Sequence, residues 1–216
     1  MKIQLRAFFW KMAEYLKGGN DYIGMVASRD GQIYEIRENS HIRMIVRNRE
    51  IEGLDRISEG VFLKLPKIPG EYLAQTTAFF RYYCFLGVEA AIHIYWDIAN
   101  RNYKLICPEQ IVNPYQVEAS TANYEGWELV MTIHSHVRMP AQFSYGDNVN
   151  DTGLKIYGII GKLHLDQVDY CFRARFNNNE FYLSPKDLFH FDGVNSTSSF
   201  PEEWKYSVLI DKVYVH

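Results

Sequence analysis

A chain of 216 residues with 47% hydrophobic and 23% charged residues suits one large domain, or a core domain with a smaller appendage, and is too apolar for disorder. Its formal net charge of −3, with the basic residues scattered, argues against nucleic-acid binding through a broad positive surface. Cys84, Cys107 and Cys171 are odd in number and far apart, which argues against a disulfide framework or a C-x-x-C thiolate site. They read as small buried hydrophobes in a reducing cytoplasm.

The opening segment, residues 1–16, holds Lys2, Arg6 and the short apolar run Ala7-Phe8-Phe9-Trp10, followed by Lys11 and Glu14. It is too short and too charged for a signal peptide or a membrane span, and an amphipathic helix ended by Gly18-Gly19 is expected, with a cytoplasmic location. Residues 22–28 and 32–37 flank Arg29-Asp30-Gly31, a hairpin pattern. Residues 41–46 and 61–65 add strand-like runs. Residues 1–66 therefore read as a small β-rich region with a leading helix, and 67–216 as the main domain.

Pro69 opens a helix expected over 71–83, with Leu73, Phe79, Phe80 and Tyr83 at core spacing. Residues 85–96 then change to a strand, in which Val88, Ala90, Ile92, Ile94 and Trp96 form one face and Glu89, Ala91, His93 and Tyr95 the other. Further strands are expected at 103–107, 127–136, 156–165, 168–176, 181–183 and 206–215. Helices are expected from Ser144 to a stop near Gly153 and at 185–189. Gly158 and Gly161 interrupt one of these strands and read as a bulge rather than a close backbone approach. Mixed strands with inserted helices give an α/β or α+β class, a mixed β-sheet core flanked by helices.

The densest chemistry lies at His134-Ser135-His136, followed after seven residues by Ser144-Tyr145-Gly146-Asp147. Two histidines one residue apart on a strand share a face, because successive strand side chains alternate. Asp147 completes a three-ligand set that leaves a fourth tetrahedral position open, as catalytic zinc requires. Ser144-x-x-Asp147 is also a helix capping box, which would fix the helix start and hold Asp147 rigidly. Asp151, one turn on, is an alternative carboxylate ligand. Dinuclear His-x-His-x-Asp-His, histidine-triad, His-Glu-x-x-His and zinc-deaminase patterns all fit badly.

This pattern resembles the JAMM (MPN-plus) zinc metalloproteases, whose motif is His-x-His, seven or more residues, then Ser-x-x-Asp. Residues 130–163, with GVEAAIHIYWD (87–97) and YKLICPEQIV (103–112), are similar to a bacterial branch of that family, the PRTRC system protein A group. The resemblance covers about half the chain. It implies a JAMM/MPN-like sheet and one zinc per chain held by His134, His136 and Asp147. It also implies Ser144 at the oxyanion, and an upstream glutamate that takes a proton from the attacking water. Glu128 shares the strand face of His134 but lies six residues away, roughly 20 Å along a strand and too far for that role. Glu118 and Glu125 fall in an expected loop. Glu89, inside the similar stretch, is the choice for general base.

The implied activity is a peptidase or isopeptidase cutting an amide bond near the tail of a ubiquitin-like protein, its precursor or its conjugate. Such tails bind extended, adding a strand to a sheet edge. The alternatives are a non-catalytic MPN-type interaction module that keeps zinc, and a zinc hydrolase of small molecules or nucleic-acid ends.

Overall fold

The structure is a computed structural model that describes residues 7–18, 23–47, 55–151, 153–176, 179–192 and 199–211. The chain divides into two compact units, Met1–Ser58 and Glu59–His216.

The first unit is a four-stranded sheet, β1 (Ala7–Phe9), β2 (Ile23–Ala27), β3 (Ile33–Glu38) and β4 (Arg43–Arg47), in that order, with α1 (Met12–Gly18) between the first two strands. The apolar run at 7–9 is a strand, not part of the helix that the sequence suggested. It pairs in parallel with β2, Phe9 opposite Val26, and Phe9 packs edge-on against Tyr15 at 5.6 Å. Phe9 and Met12 thereby cover the small core of Tyr15, Val26 and Ile36, so the helix begins only at Met12. It ends at Gly18 as expected; residues 1–6 of the expected helix lie outside the described residues. The hairpin forms where Arg29-Asp30-Gly31 predicts it. Gly31 takes φ +76°, and Asp30 Oδ1 accepts from the Gln32 N–H at 3.0 Å.

The second unit is built on a six-stranded mixed sheet in the order β13-β12-β11-β10-β6-β7. These strands are β6 (Ala91–Asp97), β7 (Asn102–Ile106), β10 (Trp127–Ser135), β11 (Lys155–Gly161), β12 (Asp169–Phe176) and β13 (Asn179–Leu183). Only β10 and β11 run parallel; every other pair is antiparallel. Two small sheets flank it. One joins β5 (Ile68–Pro69) to β14 (Phe189–His190); the other joins β8 (Gln110–Val112) to β9 (Val117–Ala119) and β15 (Val208–Ile210).

Helix α2 (Gly70–Phe85) buries Leu73, Thr76, Phe79, Phe80, Tyr83 and Cys84, one stripe at three- and four-residue spacing. That stripe meets Ile92, Ile94, Met131, Ile133, Ile160 and Phe172 in one apolar core. Full burial of each such side chain is worth about 1.5–3 kcal/mol before entropy is counted. Two short helices, α3 (Tyr145–Asn150) and α4 (Pro185–Leu188), and a 3-10 turn at Glu202–Ser207 complete a mixed, α+β unit. Among the described residues no helix is long and apolar enough to cross a membrane.

Several expected boundaries move. Residues 61–65 form no strand, and Phe62 and Leu63 lie exposed, with no strand paired to them among the described residues. Helix α2 runs on through Phe85, so the following strand starts at Ala91 rather than 85, and Glu89 precedes it. Residues 206–207 belong to the 3-10 turn, and only 208–210 of the last expected strand pair. Residues 212–216 lie outside the described residues. Glu118 falls in β9, not in a loop.

The two glycines of β11 are not a bulge. Register with β12 is unbroken from Lys155 opposite Arg175 to Gly161 opposite Asp169. Each glycine instead permits a close approach. A Cβ on Gly158 would lie 2.5 Å from the Phe172 ring, and one on Gly161 would lie 2.4 Å from both Met139 O and Ala141 N.

Candidate metal centre

The centre forms at the end of β10, where the strand's alternation separates its neighbours. Met131, Ile133 and Ser135 face the buried side, while Thr132, His134 and His136 face the other. His136 lies just past the strand but keeps its pairing, donating its N–H to Ile160 O at 2.9 Å. The chain then turns sharply. Val137 takes φ +45°, a conformation costly for a β-branched residue and held here by hydrogen bonds on both sides. Leu163 N–H donates to Val137 O at 2.9 Å, Met139 N–H to His136 O at 2.7 Å, and Lys162 N–H to Met139 O at 2.8 Å. Gly161 lets this turn lie flat against β11.

The returning segment supplies the carboxylate. Ser144 is extended (φ −86°, ψ 175°) and caps α3, its Oγ accepting from the Asp147 N–H at 3.2 Å. Asp147 Oδ2 in turn accepts from the Ser144 N–H at 2.6 Å, so the expected capping box is present. Asp147 Oδ1 then lies 3.1 Å from His134 Nε2, and Oδ2 lies 3.8 Å from His136 Nε2. The two Nε2 atoms are 3.2 Å apart.

These three donors fit a metal. One donor atom from each of the three residues lies within 4.8 Å of the others, near enough for a single ion bound at about 2.0–2.1 Å to engage all three after small adjustments. His134, His136 and Asp147 therefore form a group that could hold a metal ion. Asp151, the alternative carboxylate, does not join it: its Oδ2 accepts from Arg173 Nη2 at 2.6 Å.

Charge follows the geometry. Burial raises the Asp147 carboxyl's pKa, but the hydrogen bond and charge of His134, with the bonds from Ser144, outweigh it and hold the group far below the carboxylate range. Burial opposes a charged His134, but its bond to Asp147 and the charges of Asp147, Glu89 and Asp151 raise its pKa above the ordinary imidazole value. Burial and the neighbouring His134 charge lower that of His136.

Glu89 lies beside this group. Ser135 N–H donates to Ala90 O and Ala90 N–H donates to Ser135 Oγ, both at 2.9 Å. His134 stands opposite Ala91, so the same antiparallel register carries Glu89 opposite His136, on the same face. The side chain is only 4% exposed. Burial pushes its carboxyl up to about 7, with His134 pulling it down and Asp147 pushing it further up.

Glu128 is removed from consideration by a detail that alternation alone misses. A bulge between Leu129 and Met131 shifts the register, so Leu129 faces Tyr95 and Glu128 faces Trp96. Thr132 and His134 pair with His93 and Ala91, on Tyr95's face of β6, so Glu128 lies on the opposite face from His134.

Two polar groups on this face escaped the sequence reading. His93 is buried, with Nδ1 lacking a hydrogen-bond partner among the described residues. Burial, aided by the Lys155 charge, lowers it to about 4, and it stands outside the metal-ligand group. Arg173 is 1% exposed in the middle of β12. Its signal was present: Arg173 and Arg175 alternate with Phe172 and Ala174 in an otherwise apolar strand, which places two guanidiniums on one side of an interior strand.

Comparison of the chain with protein-family models and with curated proteins finds no match.

Proposed function

We propose that this chain is a zinc-dependent metallopeptidase or isopeptidase of the JAMM type, with a JAMM/MPN-like second unit. In this reading it hydrolyses an amide bond near the tail of a ubiquitin-like protein or its conjugate. The observation that carries the reading is the convergence of His134, His136 and Asp147, their donor atoms within 4.8 Å of one another, with one buried carboxyl, Glu89, on the same face. The resemblance to the JAMM motif and to the PRTRC system protein A group supplies the substrate class.

His134, His136 and Asp147 would hold the ion. When bound, zinc supplies Lewis acidity, polarising a carbonyl oxygen and acidifying water toward about pH 7. Glu89, poised near neutrality by burial, takes a proton from the attacking water and returns it to the leaving amine. The Ser144 Oγ accepts from the Asp147 amide, which leaves its own hydrogen to donate to the developing oxyanion. The capping box keeps that hydroxyl and the Asp147 carboxylate in fixed relation.

The test is metal content followed by turnover. The purified chain should carry about one zinc, and Asp147→Ala should lose it. Glu89→Gln should keep the zinc but lose cleavage of a ubiquitin-like fusion by a factor of about 10²–10⁴. Equal activity in Glu89→Gln and the parent would remove Glu89 from the mechanism. A zinc-loaded parent that cleaves no peptide or isopeptide substrate would instead identify a non-catalytic MPN-type interaction module.

A further inference from the structure

Beyond its capping box, the segment that delivers Asp147 has little of its own to hold it. Helix α3 is six residues long and buries none of them. A helix that short does not persist on backbone hydrogen bonds alone. Yet the metal geometry requires the Asp147 carboxylate to be placed to within a fraction of an ångström. The anchoring must come from elsewhere, and it comes from the sheet.

Arg173 stands in β12 opposite Tyr157 of β11 and Tyr182 of β13. Its Nη1 donates to Asn148 Oδ1 at 2.6 Å and to Glu180 Oε2 at 2.9 Å. Its Nη2 donates to Asp151 Oδ2 at 2.6 Å, and its guanidinium lies over the Phe143 ring, 3.7 Å from the centroid. Arg175, two residues along the same face, donates from Nη1 to Asn148 O. Phe143 precedes the Ser144–Asp147 box, and Asn148 and Asp151 follow it. One buried fork therefore grips the ligand-bearing segment on both sides of its carboxylate.

We propose that Arg173 is the positioning residue of the centre. It sets where Asp147 sits without touching the metal site itself, and Asp151 serves as its counter-charge rather than as a ligand. The inference rests on the metal reading of His134, His136 and Asp147. A planar guanidinium is required, because two separate acceptors and an aromatic face are engaged at once; a lysine ammonium keeps the charge but cannot span them.

The test uses the full chain and begins without metal. In Arg173→Met, amide hydrogen exchange over residues 144–151 should quicken about tenfold or more, while the β10 and β11 amides keep parental rates. Zinc affinity, measured against a chromophoric chelator, should then fall about 10–100-fold although all three donors are intact. The visible absorption of the Co2+-substituted protein should change in intensity, a signature that general loss of stability does not produce in molecules that remain folded. Arg173→Lys should not restore any of these. If Arg173→Met fails to fold, Asp151→Ala and Asn148→Ala decide the matter, since each removes one acceptor and leaves Arg173 bonded to Glu180. Parental exchange over 144–151 together with parental zinc affinity, in whichever variant folds, overturns the proposal. A parent that binds no zinc defeats the metal reading, and the exchange measurement still decides the role of Arg173.

Discussion

Ser144 and Asp147 hold each other: the Ser144 N–H donates to Asp147 Oδ2 at 2.6 Å, and the Asp147 N–H donates to Ser144 Oγ at 3.2 Å. The carboxylate of the candidate metal group is thus held by the first turn of its own helix. Ser144→Ala keeps the first bond and loses the second, which is worth about 1 kcal/mol at a helix start. We expect zinc affinity to fall about fivefold in Ser144→Ala. Turnover should fall further, by about 10²–10³, because the hydroxyl is also lost as an oxyanion donor. Chelator competition and initial rates on one preparation separate the two effects; equal losses in both would reduce Ser144 to a cap.

Burial of Glu89 makes the metal-free fold sensitive to pH. Its carboxyl titrates near 7 when folded, against an ordinary value near 4.5. Between those values the folded chain holds a proton that the unfolded chain has released, so stability falls as pH rises through the window and levels off above it. The full change is roughly 3 kcal/mol. Glu89→Gln cannot titrate and should lose this slope, so that it becomes the more stable protein at pH 8 in chelator. Urea unfolding at several pH values reads the difference directly, and parallel slopes would contradict the burial argument.

Metal binding should release a proton. His134 is held more basic than an ordinary histidine by Asp147, whereas Asp147 itself stays ionised throughout. Zinc must displace the His134 proton, so affinity should weaken by about tenfold per pH unit once that imidazole is protonated. Calorimetry in buffers of different ionisation enthalpy counts the proton. A binding constant independent of pH across the histidine range would show that His134 is not a ligand.

Gly161→Ala tests the turn that follows the histidines. The added methyl would meet Met139 O and Ala141 N at 2.4 Å, and backbone atoms cannot step aside as a side-chain tip can. We expect a loss of about 1–3 kcal/mol in stability, with weaker zinc binding as the 137–141 turn lifts away from β11. Gly158→Ala meets the Phe172 ring instead, on the core side, and should cost stability while sparing zinc affinity in the folded fraction. Similar zinc affinities in the two variants would break the link between this turn and the centre.

The grouping of His134, His136 and Asp147 was legible because it depends on local rules. Period two places His134 and His136 together, and a capping box fixes Asp147 three residues from Ser144. What depends on partners far away in sequence was not legible. The bulge that turns Glu128 to the other face is visible only in the pairing of β10 with β6. The run at 7–9 has helix-like surroundings but becomes a strand because β2 lies alongside to pair with it. Residues 61–65 have strand-like composition but, among the described residues, no partner strand. Gly161 looked like an interruption because its reason, the 139–141 backbone, packs from outside its own strand. Arg173 gathers acceptors from 148, 151 and 180, a set no local window contains.

The parallel pairing of β10 with β11 has a further consequence. Parallel neighbours cannot be joined by a tight hairpin, so the polypeptide must travel back the length of the sheet before it re-enters. Here that obligatory return trip carries the acidic donor. Cutting the trip out would unlink two central strands, so the passage that bears the Asp147 carboxylate is also a structural requirement of the sheet.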